Sequence, residues 1–112
     1  MYVTVSRQVG GNNQELWQSL PDSQQRKITL VLEMLTSAAM ESHTGAQRNL
    51  GVMYGGGQGV AQDFEKAAQW YRKAADQSNV EAQHNLGVMY YKGQGVAQDF
   101  EKAAQWYRKA AD

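Results

Sequence analysis

Cysteine is absent from this 112-residue chain, and proline occurs once, at Pro21. Without cysteine there is no disulfide framework, no thiol nucleophile and no cysteine-ligated zinc. Net charge is absent as well. Eleven basic side chains balance eleven acidic ones, which leaves no electrostatic footprint for nucleic acid or an anionic membrane surface. The most apolar run, Ile28 to Leu35, is interrupted by Thr29 and Glu33 and falls far short of the roughly 20 residues a spanning helix needs. Residues Met1 to Arg7 show no basic segment followed by an apolar one, so no secretory leader is read and a cytoplasmic location is the expectation. Aliphatic residues are scarce too. Ile, Leu, Val and Phe number 19, about 17% of the chain, a proportion usually met in disordered segments. Disorder also calls for high net charge, which is missing. Fourteen alanines and eleven aromatics take the place of the aliphatics.

What is present is a duplication. Ala46 to Asp76 and Ala82 to Asp112 align at an offset of 36 residues with 28 of 31 positions identical. The differences are Arg48/His84, Gly55/Tyr91 and Gly56/Lys92. A tandem repeat of this length predicts a stack of similar supersecondary units, each packed only on its neighbours.

Each copy reads as two helices. Ala46, Leu50, Met53 and Tyr54 keep helical spacing in the first, and Gly51 allows a second helix to come close. Gly57-Gln58-Gly59-Val60 breaks the pattern. The second helix is expected to start at Asp63, a good N-cap. Phe64, Ala67, Ala68, Tyr71, Ala74 and Ala75 then occupy one face of a 3.6-residue period. Glu65 near its start and Arg72 and Lys73 near its end suit the helix dipole. Gln77-Ser78-Asn79 closes the unit.

A third, diverged unit is read upstream. A 36-residue shift places Ile28 on Phe64, Val31 on Ala67, Leu32 on Ala68, Leu35 on Tyr71 and Ala38-Ala39 on Ala74-Ala75. Asn13 to Leu20 is expected to form a short helix capped by Asn12 or Asn13, and Asp22 with Gln25 resembles a capping box. The alternative is an unrelated helical hairpin that matches the register by chance. The divisions expected are an arm at 1–11, a degenerate helical cap at 12–45, one full unit at 46–81 and a second at 82–112.

The pattern A-x-x-x-L-G-x-x-Y followed by G-x-G-V-x-x-D-x-x-K-A-x-x-W-Y-x-K-A-A resembles the Sel-1-like repeat, a relative of the tetratricopeptide repeat with a longer loop between its helices. The matching residues are Ala46, Leu50, Gly51, Tyr54, Gly57, Gly59, Val60, Asp63, Lys66, Ala67, Trp70, Tyr71, Lys73, Ala74 and Ala75, with equivalents from Ala82 to Ala111. The resemblance implies an all-α, right-handed α-α superhelix of helix-turn-helix repeats. It also implies a non-catalytic adaptor or scaffold for protein–protein interaction, of the kind often met in bacterial signalling, stress or host contact. One branch, with paired cysteines in each repeat, has been linked to β-lactam binding or hydrolysis; this chain has no cysteine to place it there.

The resemblance also points to a surface. In tetratricopeptide proteins the first helices line a concave groove that reads the ligand. Here that stripe runs through Gly45, Arg48, Val52, Gly55 and Gly56, then Glu81, His84, Val88, Tyr91 and Lys92. Positions 48, 55 and 56, where the copies differ, share one helix face by their spacing. The expected occupant is a peptide or partner helix, with Arg48, His84 and Lys92 hinting at an acidic group on it. The competing reading is drift at exposed positions. Asn49 and Asn85 are loosely similar to the asparagines of tetratricopeptide carboxylate clamps, but Val52 departs from that pattern, and a structural asparagine bonded to the adjacent turn is preferred.

No chemistry is expected elsewhere. Gly55-Gly56-Gly57-Gln58-Gly59 lacks the flanking strand and the Gly-Lys-Ser/Thr of a phosphate loop. It is read as a turn, looser than its counterpart because Gly55 and Gly56 replace Tyr91 and Lys92. His43 and His84 have no partners at metal-ligand spacing. Trp70-Tyr71 and Trp106-Tyr107 are assigned to packing between units, with Lys66 placed to contact Trp70. No cofactor is implied. The end at Asp112 leaves the receiving face of the last helix uncovered; self-association, binding of a partner there and a cut from a longer array are the alternatives, and a homodimer or helix exchange is the expectation. Two other functions stand beside the adaptor reading: a module associated with cell-wall-type hydrolysis, and a structural piece of a longer array.

Overall fold

In the computed structural model, residues 18–112 are described. They form five α-helices: α1 (Asp22–Met40), α2 (Thr44–Gly56), α3 (Phe64–Asp76), α4 (Val80–Lys92) and α5 (Phe100–Ala111). No strand occurs among the described residues. No helix among them is long and apolar enough to cross a membrane. The arm expected at 1–11 lies outside the described residues, as does the short helix at Asn13–Leu20 apart from its last three positions.

Local chemistry sets the helix ends. Asp63 and Asp99 accept the backbone N–H of Lys66 and Lys102 at 3.0 Å, as the N-cap assignment predicted. Each such cap is worth about 1 kcal/mol. Gly57 and Gly93 close α2 and α4 in the left-handed region, at φ 65° and 70°, a conformation that costs glycine nothing. The side-chain amides of Gln62 and Gln98 then tie the turn back to the carbonyls of Gly55 and Tyr91.

The start of α1 differs from expectation. Pro21 is the N-cap and makes no side-chain cap bond, while Asp22 is already the first helical residue. Gln25 donates to the Leu20 carbonyl at 2.7 Å. The capping box fails because Pro21 supplies the backbone geometry of a helix entry and pushes Asp22 into the first turn, where its charge still suits the dipole.

The helices pack in chain order, α1 on α2, α2 on α3, α3 on α4 and α4 on α5. This is the nearest-neighbour arrangement of an α-solenoid. Alanines carry the crossings: Ala67, Ala74 and Ala82 are fully buried, and Leu50 and Leu86 are the largest fully buried side chains. Tyr71 and Trp106 share one cluster with Leu86 and Met89. Trp70 packs against the other, formed by Ala39, Ala46 and Leu50. The Trp-Tyr pairs thus serve packing within and between units.

The 36-residue relation extends into α1. Gln47 donates its amide to the Ala39 carbonyl at 3.0 Å, and Gln83 donates to Ala75 at 3.2 Å. Both glutamines are buried and both are satisfied. Ser42 and Ser78 share φ 69°, and the surrounding backbone bonds repeat atom for atom. A Cβ on Gly95 would collide with the Phe64 carbonyl, and a Cβ on Gly59 would collide with Ile28, the residue that the shift places on Phe64. α1 therefore stands to the first unit as α3 stands to the second.

Candidate functional site

Unit stacking sets α2 and α4 side by side, and their facing surfaces leave a groove. It is a concavity of about 260 Å³ whose lining includes Val52, Gly55 and Gly56 from the first unit and Asn85, Val88 and Met89 from the second. Gly55 and Gly56 keep it open, since neither has a side chain to fill it. Its volume lies just below the range of about 300–1,000 Å³ typical of small-molecule sites.

The remaining stripe residues divide between other places. Arg48 forms an ion pair with Glu81 across the unit boundary and also donates to Asn49 at 3.0 Å. Tyr91 is exposed and packs edge-on against Phe100, with ring centroids 5.3 Å apart. His84 leans on Tyr107 at 5.5 Å. Lys92 is exposed at the end of α4. Val52, Gly55, Gly56 and Val88 thus come together, whereas Glu81 and His84 line a second hollow at the far side of α4.

Several contacts could not be read from the spacing. Asn85 meets the hydroxyl of Tyr71, a residue of the preceding unit, rather than the adjacent turn. Burial raises the pKa of that hydroxyl, and the Asn85 hydrogen bond and the Arg48 charge only partly oppose the effect. Asn49 has no such partner, because Leu35 stands where its tyrosine would be, and it accepts from Arg48 instead. Lys66 stands over Tyr54 at 5.4 Å, not over Trp70; Lys73 covers Trp70 at 4.9 Å. One helical turn from Lys66 leads to Trp70, but the ammonium swings across to the first helix of its own unit. Gln77 ties the end of the first unit back to the start of α2 by donating to Gln47 at 2.7 Å and accepting from Thr44 at 2.8 Å. Nothing in a polar linker marks that glutamine out.

The ionisable groups are arranged for structure. His43 caps α2, its Nδ1 accepting the Ala46 N–H at 3.1 Å. Among the described residues no group of three His, Cys, Asp or Glu side chains could hold a metal ion.

Comparison with known proteins agrees with this architecture. A Sel1 repeat protein from Oxalobacter formigenes is 44% identical over 62% of this chain and 29% of its own, with a TM-score of 0.61. The protein c5321, a protective antigen present in uropathogenic Escherichia coli strains and displaying an SLR fold, is 30% identical over 99% of this chain and 25% of its own, with a TM-score of 0.74. Cysteine-rich protein B of Helicobacter pylori is 30% identical over 74% of this chain and 62% of its own, with a TM-score of 0.71. The chain therefore spans less than a third of the first two proteins and under two thirds of the third. No curated protein matches it at a significant level. The Sel1 repeat family model matches residues 44–79 and 80–112, each match opening on the helix, α2 or α4, that begins a unit. With its helix pairs, turn glycines and stacking all following that pattern, the chain belongs to the Sel1 repeat family.

Proposed function

We propose that the chain is a non-catalytic adaptor that holds a peptide or a short helix of a protein partner in the groove between α2 and α4. Sel1 repeats are generally protein–protein interaction modules. The observation that carries the finer reading is the unfilled concavity between the two first helices, with an apolar, glycine-lined floor and Asn85 beside it. A single buried anchor in such a pocket contributes most of the affinity in many interfaces. The exposed pair Tyr91 and Phe100 adds aromatic contact area at the end of α4. An acidic group on the partner would be met by Lys92 at the end of α4. Arg48 is not assigned that role, because Glu81 already takes its charge.

The test is affinity capture with mass spectrometry, comparing the wild type with a Val52→Glu/Val88→Glu double variant and with Lys92→Glu. Charges in the floor should abolish capture, and reversal at Lys92 should weaken it, both with unchanged helical circular dichroism. A double variant that keeps every partner would sink the groove as the binding surface.

A further inference from the structure

The 36-residue shift that relates α1 to α3 puts Leu32 on Ala68 and Leu50 on Leu86. At the first junction Leu32 packs against the cluster that contains Leu50. At the second an alanine stands in its place, and the isopropyl group of the leucine is missing. A hollow of about 500 Å³ lies there, between α3, α4 and the turn that follows α4. Ala68, Leu86, Tyr90 and Val96 give it an apolar lining. Gly95 braces the turn against α3, since a Cβ there would strike the Phe64 carbonyl. The walls of this hollow lie inside the stack, and it shares no lining residue with the α2/α4 groove.

Helix α3 frames the hollow with charges of both signs. Glu65 and Arg72 border it from one helix face, with Ala68 between them. Their seven-residue separation is two turns, about 10 Å at roughly 1.5 Å per residue. Lys73 stands beside Arg72 at the same end. Arg72 is held in place from two sides. Its Nε donates to Asp76 at 3.3 Å, and its guanidinium carbon lies 5.5 Å from the centre of the Trp106 ring, which is itself only 8% exposed. Glu65 forms no ion pair among the described residues. α1 offers no such frame, because Thr29 and Thr36 stand at the corresponding positions. Exposed charges of this kind set orientation more than affinity, and a buried anchor supplies the affinity.

We infer that this hollow docks a helix of a partner protein, laid antiparallel to α3, that carries an acidic residue, a leucine-sized aliphatic residue four positions later and a basic residue three beyond that. The aliphatic side chain enters over Ala68 and supplies the packing that Leu32 gives the first junction. The acid meets Arg72 and Lys73, and the base meets Glu65. A helix carries residues seven apart on one face, so charges two turns apart on α3 are matched by charges two turns apart on the partner. The antiparallel direction puts the partner's acid toward its own N-terminus and its base toward its C-terminus, as its dipole favours. No segment of this chain has that pattern, so a second copy does not supply the helix. The inference stands independently of the α2/α4 groove.

The probe is an alanine-rich helical peptide with glutamate, leucine and lysine at that spacing, titrated into the full chain and followed by amide chemical shifts. Shifts centred on Ala68, Gln69 and Val96 are expected. A peptide with its glutamate and lysine exchanged should bind roughly tenfold more weakly, and Glu65→Lys/Arg72→Glu in the protein should reverse that preference. Ala68→Leu, which gives α3 the side chain that α1 carries, should abolish binding with unchanged helical circular dichroism. If that variant does not fold, the exchange of charges decides alone. The groove variant Val52→Glu/Val88→Glu should bind the peptide normally. Absence of binding, indifference to the exchange of charges, or shifts centred on Val52 and Val88 would each overturn the assignment.

Discussion

Gly51 and Gly87 offer the sharpest test of the packing, because the same substitution at equivalent positions should give different results. In isolation, glycine to alanine inside a helix stabilises by about 1 kcal/mol. At Gly51 the new Cβ would lie 2.7 Å from two carbons of the Tyr71 ring, about 1 Å inside the normal contact distance of roughly 3.5–4.0 Å. The ring has nowhere to go. Tyr71 is buried in the main cluster among Ala67, Ala74 and Leu86, and its hydroxyl is held by Asn85. Overpacking of this kind costs about 1–3 kcal/mol, and displacing the hydroxyl from its partner adds about 1 kcal/mol. The net for Gly51→Ala is therefore about 1–3 kcal/mol of destabilisation.

At Gly87 the clash is with Tyr107, at 2.9 Å, and the Ala103 carbonyl oxygen lies at 3.3 Å. Tyr107 is only half-buried, lines the hollow beside α4 and leans on the His84 ring. It can swing outward for a fraction of the cost, so the propensity gain nearly cancels the strain and the net lies near zero. The difference is read by urea and thermal unfolding followed at 222 nm. One kcal/mol corresponds to about 4–8 °C in Tm for a domain of this size. Because repeat arrays need not unfold in one step, native-state hydrogen exchange should confirm that Gly51→Ala loosens the α2–α3 pair first. If Gly87→Ala proves as damaging as Gly51→Ala, or if Gly51→Ala stabilises, Tyr71 is not the immovable wall described above.

Other consequences are open to measurement. His43→Ala removes the acceptor for the Ala46 N–H and should cost about 1 kcal/mol, while His43→Asn, the residue at the equivalent Asn79, should restore it; chemical denaturation separates the two. Gly55→Ala places its Cβ 3.7 Å from that of Ala67, an ordinary contact, so it should stabilise by up to about 1 kcal/mol and raise hydrogen-exchange protection at the end of α2. Gly95→Ala should be severely destabilising in thermal melts, since φ is 75° and the Phe64 backbone blocks the new carbon. Burial raises the Tyr71 pKa, so the folded state holds that proton more tightly than the unfolded chain does. Its contribution is complete below pH of about 10, the ordinary tyrosine value, and falls as pH rises through that value toward the raised one. Alkaline denaturation should show this slope, and Tyr71→Phe should flatten it.

What could be read in the sequence follows from which contacts the duplication exposes. Caps and turn closures lie within one copy, so Asp63, Gly57 and the alanine face of α3 were all visible in the spacing. The register of α1 was visible as well, because Leu32, Leu35 and Ala39 keep the periodicity of the helix they replace. Contacts between copies were not visible, and the reason is near-identity itself. When Asn49 and Asn85 occupy the same motif, pattern alone cannot say whether a side chain turns inward or across a boundary. The structure shows that they do not all behave alike: Asn85 finds Tyr71 and Asn49 does not, because the preceding helix offers Leu35 there. The same asymmetry separates Arg48 from His84. The arginine has an acid to meet in the next unit, and the histidine leans on the Tyr107 ring of its own unit. Gly55 and Gly56 add a second distinction of the same kind: the groove exists because the first unit leaves out the side chains that Tyr91 and Lys92 carry in the second.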